Sequence, residues 1–250
     1  MSLLFLSNID ICFCINRRTV VRATQVALTT ERLHMKEIRI GKERLTERDV
    51  EVAIWIAEQG CARLDSVGLM LVNMGSIIGT RQLRKLAVRW EQLGLVHRER
   101  LLAKAPAILW TTRYSIKLAG ISLGRGQKIV KPSFSTLHHE LAVAHIRTIY
   151  EAHGAKWLSE SRIREDYDGH LPDAVATVNE VKIVVEVDRT RKSSSRLDAI
   201  MSENALAINS DFVDYWVSPD LIVFMTKQLG NLPKHISSKI RLFPIPGELL

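Results

Sequence analysis

Cysteine is scarce in this chain, and long apolar runs and nucleotide-binding loops are missing from it. Its 250 residues include three cysteines, Cys12, Cys14 and Cys61, which are too few and too irregularly spaced for a disulfide framework or a structural zinc site. No apolar run approaches the ~20 residues of a membrane-spanning helix. Glycine-rich phosphate loops, dinucleotide fingerprints and Ser-His-Asp arrangements are also missing. We therefore expect a cytoplasmic protein that requires no cofactor and has no membrane partner.

Positive charge is in excess. The chain has 35 Lys and Arg residues against 27 Asp and Glu, a net charge of +8, and a pI near 9.6. Such a balance favours a polyanionic partner, either nucleic acid or an acidic membrane surface. With 46% hydrophobic residues, the chain can bury the core of one large domain or of two ordinary ones.

Residues 1–34 are patterned differently from the rest. Met1–Ile15 is apolar but is interrupted by Asn8 and Asp10, and it lacks the positive start of a signal peptide. Met35 precedes a well-patterned segment. We expect residues 1–34 to be a weakly structured N-terminal extension or the result of a misassigned start. The alternative is an N-terminal helix that packs on a partner.

Residues 35–121 show helical spacing followed by two short extended runs. Thr46 and Asp49 predict a capping box at the start of a first helix, Thr80 is predicted to cap the third helix, and Gly94 occupies the position of a left-handed residue at its end. Three helices followed by a β-hairpin predict a winged helix, a helix-turn-helix variant that binds DNA. The predicted elements are helices at 46–60, 64–72 and 80–93, extended runs at 95–101 and 107–111, and a closing helix at 112–120.

Basic residues concentrate on the third helix and the hairpin. Between Arg81 and Lys104 there are seven Lys or Arg residues against two Glu. Most charged helix faces are simply solvated, but this position within a winged helix favours contact with double-stranded DNA. Arg81 and Gln82 are placed to meet base edges, whereas phosphates are expected to meet Lys85, Arg89, Arg98, Arg100 and Lys104. The predicted nucleic-acid-binding residues are Arg81, Gln82, Arg84, Lys85, Arg89, Arg98, Arg100 and Lys104.

After a polar linker at 122–135, residues 136–250 change to a different order of elements. The pattern predicts helix, three strands, helix and strand, with a short helix and a last strand beyond them. The predicted elements are a helix at 136–152, an extended run at 156–163, strands at 171–178 and 181–187, a helix at 195–208, a strand at 221–226, a helix near 232–238 and a strand at 240–244.

Two carboxylates stand out in this half. Asp173 lies near the start of one apolar run and Glu186 near the end of the next, and Asn179-Glu180 between them allows only a hairpin turn. Pairing would place both acids at one end of the hairpin, within reach of one divalent cation. The alternative is that hydrogen bonds to local backbone, or pairing with Arg189, Arg191 or Lys192, satisfy them. Asp188 is a third candidate ligand, because residues 186 and 188 of a regular strand share a face.

Pro172-Asp173 on one strand followed by Glu186-Val187 on the next resembles the restriction-endonuclease-like superfamily, whose PD-(D/E)XK pattern holds magnesium through its acids and activates water with its lysine. The narrower form, Leu-Pro-Asp-Ala-Val followed by Val-Glu-Val-Asp-Arg-Thr with a winged-helix-like half upstream, resembles the replication-relaxation family of plasmids, phages and integrative elements. Asp188 stands where the lysine belongs, and an anion there would repel hydroxide. Lys182 and Lys192 are alternatives at other spacings.

The His138-His139-Glu140 run, with His145 further along, does not have the spacing of a zinc site. A histidine near the start of this helix resembles one in the replication-relaxation pattern, which implies packing or hydrogen bonding near the acidic sheet. Glu160 is either an additional acidic ligand or a surface residue.

The expected fold is α+β, with an N-terminal winged helix followed by a restriction-endonuclease-like α-β-β-β-α-β domain. The expected function is sequence-specific DNA binding in replication or transcription control of a mobile genetic element, in association with the nucleoid. The degenerate nuclease-like domain would support a homodimer or bind a replication or conjugation protein. The alternative is a Mg²⁺-dependent DNA endonuclease or nickase that uses Asp173, Glu186 and Asp188, and a third possibility is an adaptor that binds only protein.

Overall fold

A computed structural model describes residues 39–40, 43–101, 103, 105–121, 129, 131–164, 170–206 and 210–247. The chain divides into two compact units, residues 1–45 and 46–250. In the first unit, β1 (Arg39–Ile40) and β2 (Glu43–Arg44) form an antiparallel ribbon. The predictions for residues 1–34, for Lys104 and for most of the linker lie outside the described residues.

The first half of the second unit consists of helices and a small antiparallel sheet. Its elements are α1 (Glu47–Gln59), β3 (Cys61–Arg63), α2 (Leu64–Asn73), α3 (Thr80–Gln92), β4 (Val96–Glu99), β5 (Ile108–Thr111) and α4 (Arg113–Leu118). Strand β5 lies between β3 and β4 and is antiparallel to both. The predicted capping box is confirmed, because Thr46 Oγ1 accepts a hydrogen bond from Asp49 N at 3.2 Å and Asp49 Oδ2 accepts one from Thr46 N at 2.9 Å.

The prediction for α3 is wrong at its N-terminus and confirmed at its C-terminus. The N-cap is Gly79 and Thr80 is the first helical residue, so the prediction that Thr80 caps the helix is wrong. A glycine cap has no side-chain oxygen to accept from the first amides of the helix. At the other end Gly94 has φ of +68°, which confirms the left-handed position that only glycine adopts easily.

The second half is built on a five-stranded sheet. Its elements are α5 (Phe134–Ala152), β6 (Lys156–Ser159), α6 (Glu160–Ile163), β7 (Ala174–Val178), β8 (Val181–Asp188), α7 (Ser194–Leu206), β9 (Phe212–Val217), α8 (Ile222–Asn231), α9 (Lys234–Ser237) and β10 (Ile240–Pro244). The strand order is β10-β9-β8-β7-β6. The pairs β6–β7 and β7–β8 are antiparallel, whereas β8–β9 and β9–β10 are parallel. Parallel pairs need crossover helices, which α7 to α9 provide.

Alternation along β8 sends its side chains to two separate cores. Ile183, Val185 and Val187 pack with residues of α5, whereas Val184 packs with residues of α7. Since successive strand residues point to opposite faces, the helices α5 and α7 cover opposite faces of the sheet. Glu186 and Asp188 share their parity with Val184, and both are buried.

The strand predicted at Leu221–Thr226 is wrong, because α8 begins at Ile222 and the fourth strand of this half is β9. Asp214 interrupts the apolar pattern of β9, yet it is 2% exposed and pairs with Arg241 at 2.6 Å. Arg241 on the neighbouring strand β10 forms an ion pair with this carboxylate. The pattern of apolar and polar residues along β9 alone does not reveal such a partner. The last strand at 240–244 is confirmed.

The two halves of the second unit pack against each other through α5. Glu58 of α1 binds Arg147 of α5 and Arg162 of α6, both at 2.9 Å. Trp55 Nε1 donates to the carboxylate of Glu151, with distances of 3.0 and 3.1 Å to its two oxygens. An apolar cluster continues the contact, and its buried members are Cys61, Ile108, Leu137 and Leu141.

The described chain is therefore an α+β fold. Among the described residues, no helix combines the length and the apolar character that crossing a membrane requires.

Candidate nucleic-acid interface and acidic cluster

The outward side of α3 carries four of the predicted DNA-binding residues. Arg81, Gln82, Arg84 and Lys85 are all exposed, and the first turn of α3 has no acidic residue. We call these four residues the basic face. The opposite side packs into the core through Leu83, Leu86, Ala87 and Trp90. Among the described residues, no hydrogen bond or ion pair is recorded for any side chain of the basic face.

Arg89 differs from the basic face because it contacts a buried carboxylate. Its Nη2 lies 3.3 Å from Asp49 Oδ2, and the neighbouring Trp90 Nε1 donates to Asp49 Oδ1 at 2.8 Å. Burial alone would raise the pKa of Asp49, but hydrogen bonds from Thr46 and Trp90 and the charge of Arg89 outweigh it, so the pKa is lowered. Asp49 therefore fixes α3 against α1, a role that the sequence indicated only as helix capping.

The hairpin after α3 contributes less free charge than the sequence suggested. Arg98 is paired with Glu91 at 2.9 Å, which neutralises it locally. Arg100 is exposed and donates to the carbonyl of Ala103 at 3.3 Å. Lys104 lies outside the described residues. Positive charge available to a ligand is thus centred on α3.

Asp173 and Glu186 lie at the same end of the β7–β8 hairpin. Ala174 pairs with Val185, so the residue before β7 falls opposite Glu186. The hairpin turns at Asn179 and Glu180, whose φ values are +48° and +70°, as a two-residue turn of this kind requires. The structure thus brings the two predicted acids together, and the charge of Asp173 acts on the pKa of Glu186.

Two elements, α5 and β8, contact the two oxygens of Asp173. Asp173 Oδ1 lies 2.9 Å from His139 Nε2 on α5, and Oδ2 accepts from the backbone N–H of Val187 at 2.7 Å. Burial opposes protonation of His139, but the hydrogen bond to Asp173 and its charge outweigh burial and raise the pKa of His139. His139 therefore connects α5 to the residue that precedes β7.

Glu186 is buried among polar side chains on the face of the sheet that α7 covers. Asn204 Nδ2 of α7 donates to Glu186 Oε1 at 3.0 Å, and His170 Nε2 lies 3.1 Å from the same oxygen. Burial raises the pKa of Glu186, and the charge of Asp173 adds to the rise, while His170 opposes it. Asn204 and His170 were not identified from the sequence, which carried no signal for them.

We call Asp173, Glu186 and Asp188 the acidic cluster. Of the two candidate lysines, Lys182 and Lys192, the structure places Lys192 beside this cluster. Its Nζ lies 2.5 Å from Asp188 Oδ1, whereas Lys182 lies near the opposite end of β8 and its backbone N–H binds Asp211. Mg²⁺ requires several oxygen ligands in octahedral geometry. Asp173 has contacts on both oxygens, whereas Glu186 Oε1 accepts from Asn204 and lies 3.1 Å from His170 Nε2. A cation at this site would compete with these contacts.

The remaining polar residues of α5 serve its packing. Cys61 Sγ donates to Glu140 at 3.2 Å, and His145 Nδ1 lies 3.1 Å from Ser66 Oγ. Burial raises the pKa of Glu140. Glu160 pairs with Arg164. Glu160 also lines a cavity of about 290 Å³, together with His139, Glu140 and Asp173.

Comparison of the chain with known protein families, with curated proteins and with solved structures finds no match.

Proposed function

We propose that this protein binds double-stranded DNA in a sequence-specific manner through the basic face of α3. The order of elements from α1 to β5, with β5 between β3 and β4, supports a winged helix, in which the third helix enters the major groove. The observation that carries the proposal is the basic face itself. Three cationic side chains and one amide are exposed on one helix, and none has a recorded partner among the described residues.

Contacts to DNA divide along the helix. Arg81 and Gln82, in the first turn of α3, reach base edges, since the residues at the start of a recognition helix point into the groove. Arg84 and Lys85 bind phosphates, which orient the protein without reading sequence. Arg89 keeps its contact with Asp49 and contributes mainly to the position of α3.

In the second half, we propose a restriction-endonuclease-like core without hydrolytic activity. The order of α5, β6, β7, β8, α7 and β9 and the resemblance to the replication-relaxation family support this part of the proposal. Asp188 replaces the expected lysine, and Asp173 and Glu186 are held by protein donors. The domain then supports a homodimer or binds a replication or conjugation protein. The whole protein acts in replication or transcription control of a mobile element.

Salt dependence of DNA binding tests the basic face. The affinity for a 30-base-pair duplex of random sequence is measured by fluorescence anisotropy at several salt concentrations. Lys85→Ala should weaken binding and reduce the slope of log K against log salt by about 0.9, the value for one phosphate contact. Lys117→Ala, which removes an exposed lysine from α4, is the matched control and should leave the slope unchanged. An unchanged slope for Lys85→Ala would refute the proposal, and sequencing of captured genomic fragments tests specificity.

Plasmid cleavage tests the second half. Supercoiled plasmid incubated with the protein and Mg²⁺ or Mn²⁺ should remain intact. Metal-dependent nicking that is lost in both Asp173→Ala and Glu186→Ala would instead establish the endonuclease alternative.

A further inference from the structure

A second candidate site lies beside the basic face. A cavity of about 540 Å³ is bounded by α2, by the start of α3 and by Arg100, Ala103 and residues 105–107. This volume is within the range of small-molecule sites, about 300–1,000 Å³. The cavity does not overlap the acidic cluster, since none of its lining residues belongs to the second half of the unit.

The walls of the cavity are mostly apolar. Leu69 and Val72 of α2 line it and are 44% and 53% exposed, which is unusual for large apolar side chains on a helix that also has a buried face. Gly68 keeps α2 and α3 close, because a Cβ at this position would lie 2.8 Å from Leu83 Cδ2. Apolar surface left open in a concavity marks a binding site more often than surface scattered singly.

The charge at the rim is positive. Arg84 and Arg100 both line the cavity, and Arg84 has no recorded partner among the described residues. The one acid of the lining, Asp65, is already paired with Arg63 at 2.6 Å. Thr80 also lines the cavity and begins α3, a helix with neither a side-chain cap nor an acidic residue in its first turn. The rim is therefore suited to an anion.

We propose that this cavity binds a small amphipathic organic anion, with its apolar part against Leu69 and Val72 and its anionic group against Arg84. The volume suits a small molecule, and the apolar walls favour an amphipathic anion over a simple inorganic one. The apolar part of the ligand gains by leaving water, and the guanidinium provides a charge-assisted hydrogen bond.

The ligand would also control DNA binding, and this second step rests on the proposed function. Arg84 belongs both to the cavity rim and to the basic face, so an anion bound to Arg84 removes one cation from the surface that faces phosphates. Ligand and DNA should therefore compete.

A pair of fluorescent probes tests the cavity without DNA. The anionic probe 1-anilinonaphthalene-8-sulfonate should bind the full chain saturably with one site, and Arg84→Gln should weaken it roughly 3- to 10-fold. N-Phenyl-1-naphthylamine, which lacks the sulfonate, should bind wild type and Arg84→Gln equally. Arg81→Gln is the matched control, because Arg81 is exposed on the same helix but does not line the cavity. Equal losses in Arg81→Gln and Arg84→Gln, or no saturable binding, would overturn the proposal.

A second variant acts through the apolar wall. Val72→Asp changes a wall residue that is 53% exposed, so folding should survive, and the new carboxylate should abolish binding of the anionic probe. Val223→Asp changes a valine of α8 that is 79% exposed and should have no effect. Unchanged probe binding in Val72→Asp would refute the proposed location of the site.

A competition experiment tests the link to DNA. The sulfonate probe should displace duplex DNA from the wild-type protein. Probe binding without any DNA binding would leave the cavity proposal standing and refute only the proposed function.

Discussion

Asp49 connects the start of α1 to the helix that carries the basic face. Its side chain is fully buried, and it accepts hydrogen bonds from Thr46 N and from Trp90 Nε1. Replacing it with alanine removes both acceptors while changing no residue of the exposed surface of α3. We expect Asp49→Ala to lower the stability of the whole second unit and to loosen the position of α3.

The magnitude follows from the groups that lose a partner. Trp90 is fully buried, and its indole N–H without an acceptor costs about 1–3 kcal/mol. Loss of the capping-box contact adds about 1 kcal/mol. The Arg89 side chain is 36% exposed, so water can replace its contact and it adds little. The total of about 2–4 kcal/mol lowers the Tm by roughly 4–16 °C for a chain of this size.

Differential scanning calorimetry at neutral pH measures this change. Asp65→Ala is the matched control, because Asp65 pairs with Arg63 with 42% of its side chain exposed, and such surface pairs contribute at most about 1 kcal/mol. Since the pKa of Asp49 is lowered, its contribution is complete above the ordinary Asp pKa of about 3.9 and is lost as the pH falls through the lowered value. If the Tm of Asp49→Ala lies within about 2 °C of the Tm of Asp65→Ala, the reasoning is refuted, because about 2 °C is the smallest shift in Tm that 1 kcal/mol produces in a chain of this size.

Three other perturbations give measurable outcomes. Glu58→Gln should lower the free energy of unfolding in urea by about 1–3 kcal/mol, because it removes one of the two carboxylates that pair with the buried Arg147, which keeps Glu151 at 2.6 Å; a loss below about 1 kcal/mol would mean that Glu58 acts as a surface pair. The raised pKa of His139 should appear as a high NMR titration midpoint that falls in Asp173→Asn, and the stability of this pair is complete below about pH 6.5 and lost as the pH rises through the raised pKa. An unchanged midpoint would contradict the pairing. Gly94→Ala should cost about 1 kcal/mol, because its φ of +68° strains any other residue; an unchanged urea midpoint would contradict that strain.

Local chemistry in the sequence was enough to place much of the fold. The capping box at Thr46 and the glycine at position 94 defined α1 and the end of α3, because helix ends depend on residues within a few positions along the chain. Asn179 and Glu180 defined the β7–β8 turn for the same reason. Helical spacing also placed Arg81 and Lys85 on the exposed side of α3, but it placed Arg89 with them, and Arg89 contacts Asp49 instead.

Long-range partners were beyond reach of the sequence. The β9 strand was missed because the partner of Asp214 is Arg241, 27 positions away. His139 on α5 lies 34 positions from Asp173, and Asn204 on α7 lies 18 positions from Glu186. Since α5 and α7 cover opposite faces of the sheet, only the folded chain brings these partners to the two acids.

The sequence by itself determined where α1 begins, where α3 ends and that two acids meet at one end of a hairpin. Only the tertiary structure decided that Arg89 holds Asp49, that hydrogen bonds occupy the acidic pair and that an apolar cavity opens beside Arg84. The physical reason is that backbone conformation and periodicity are set by neighbours along the chain, whereas burial and the partners of a charge are set by segments that packing brings together.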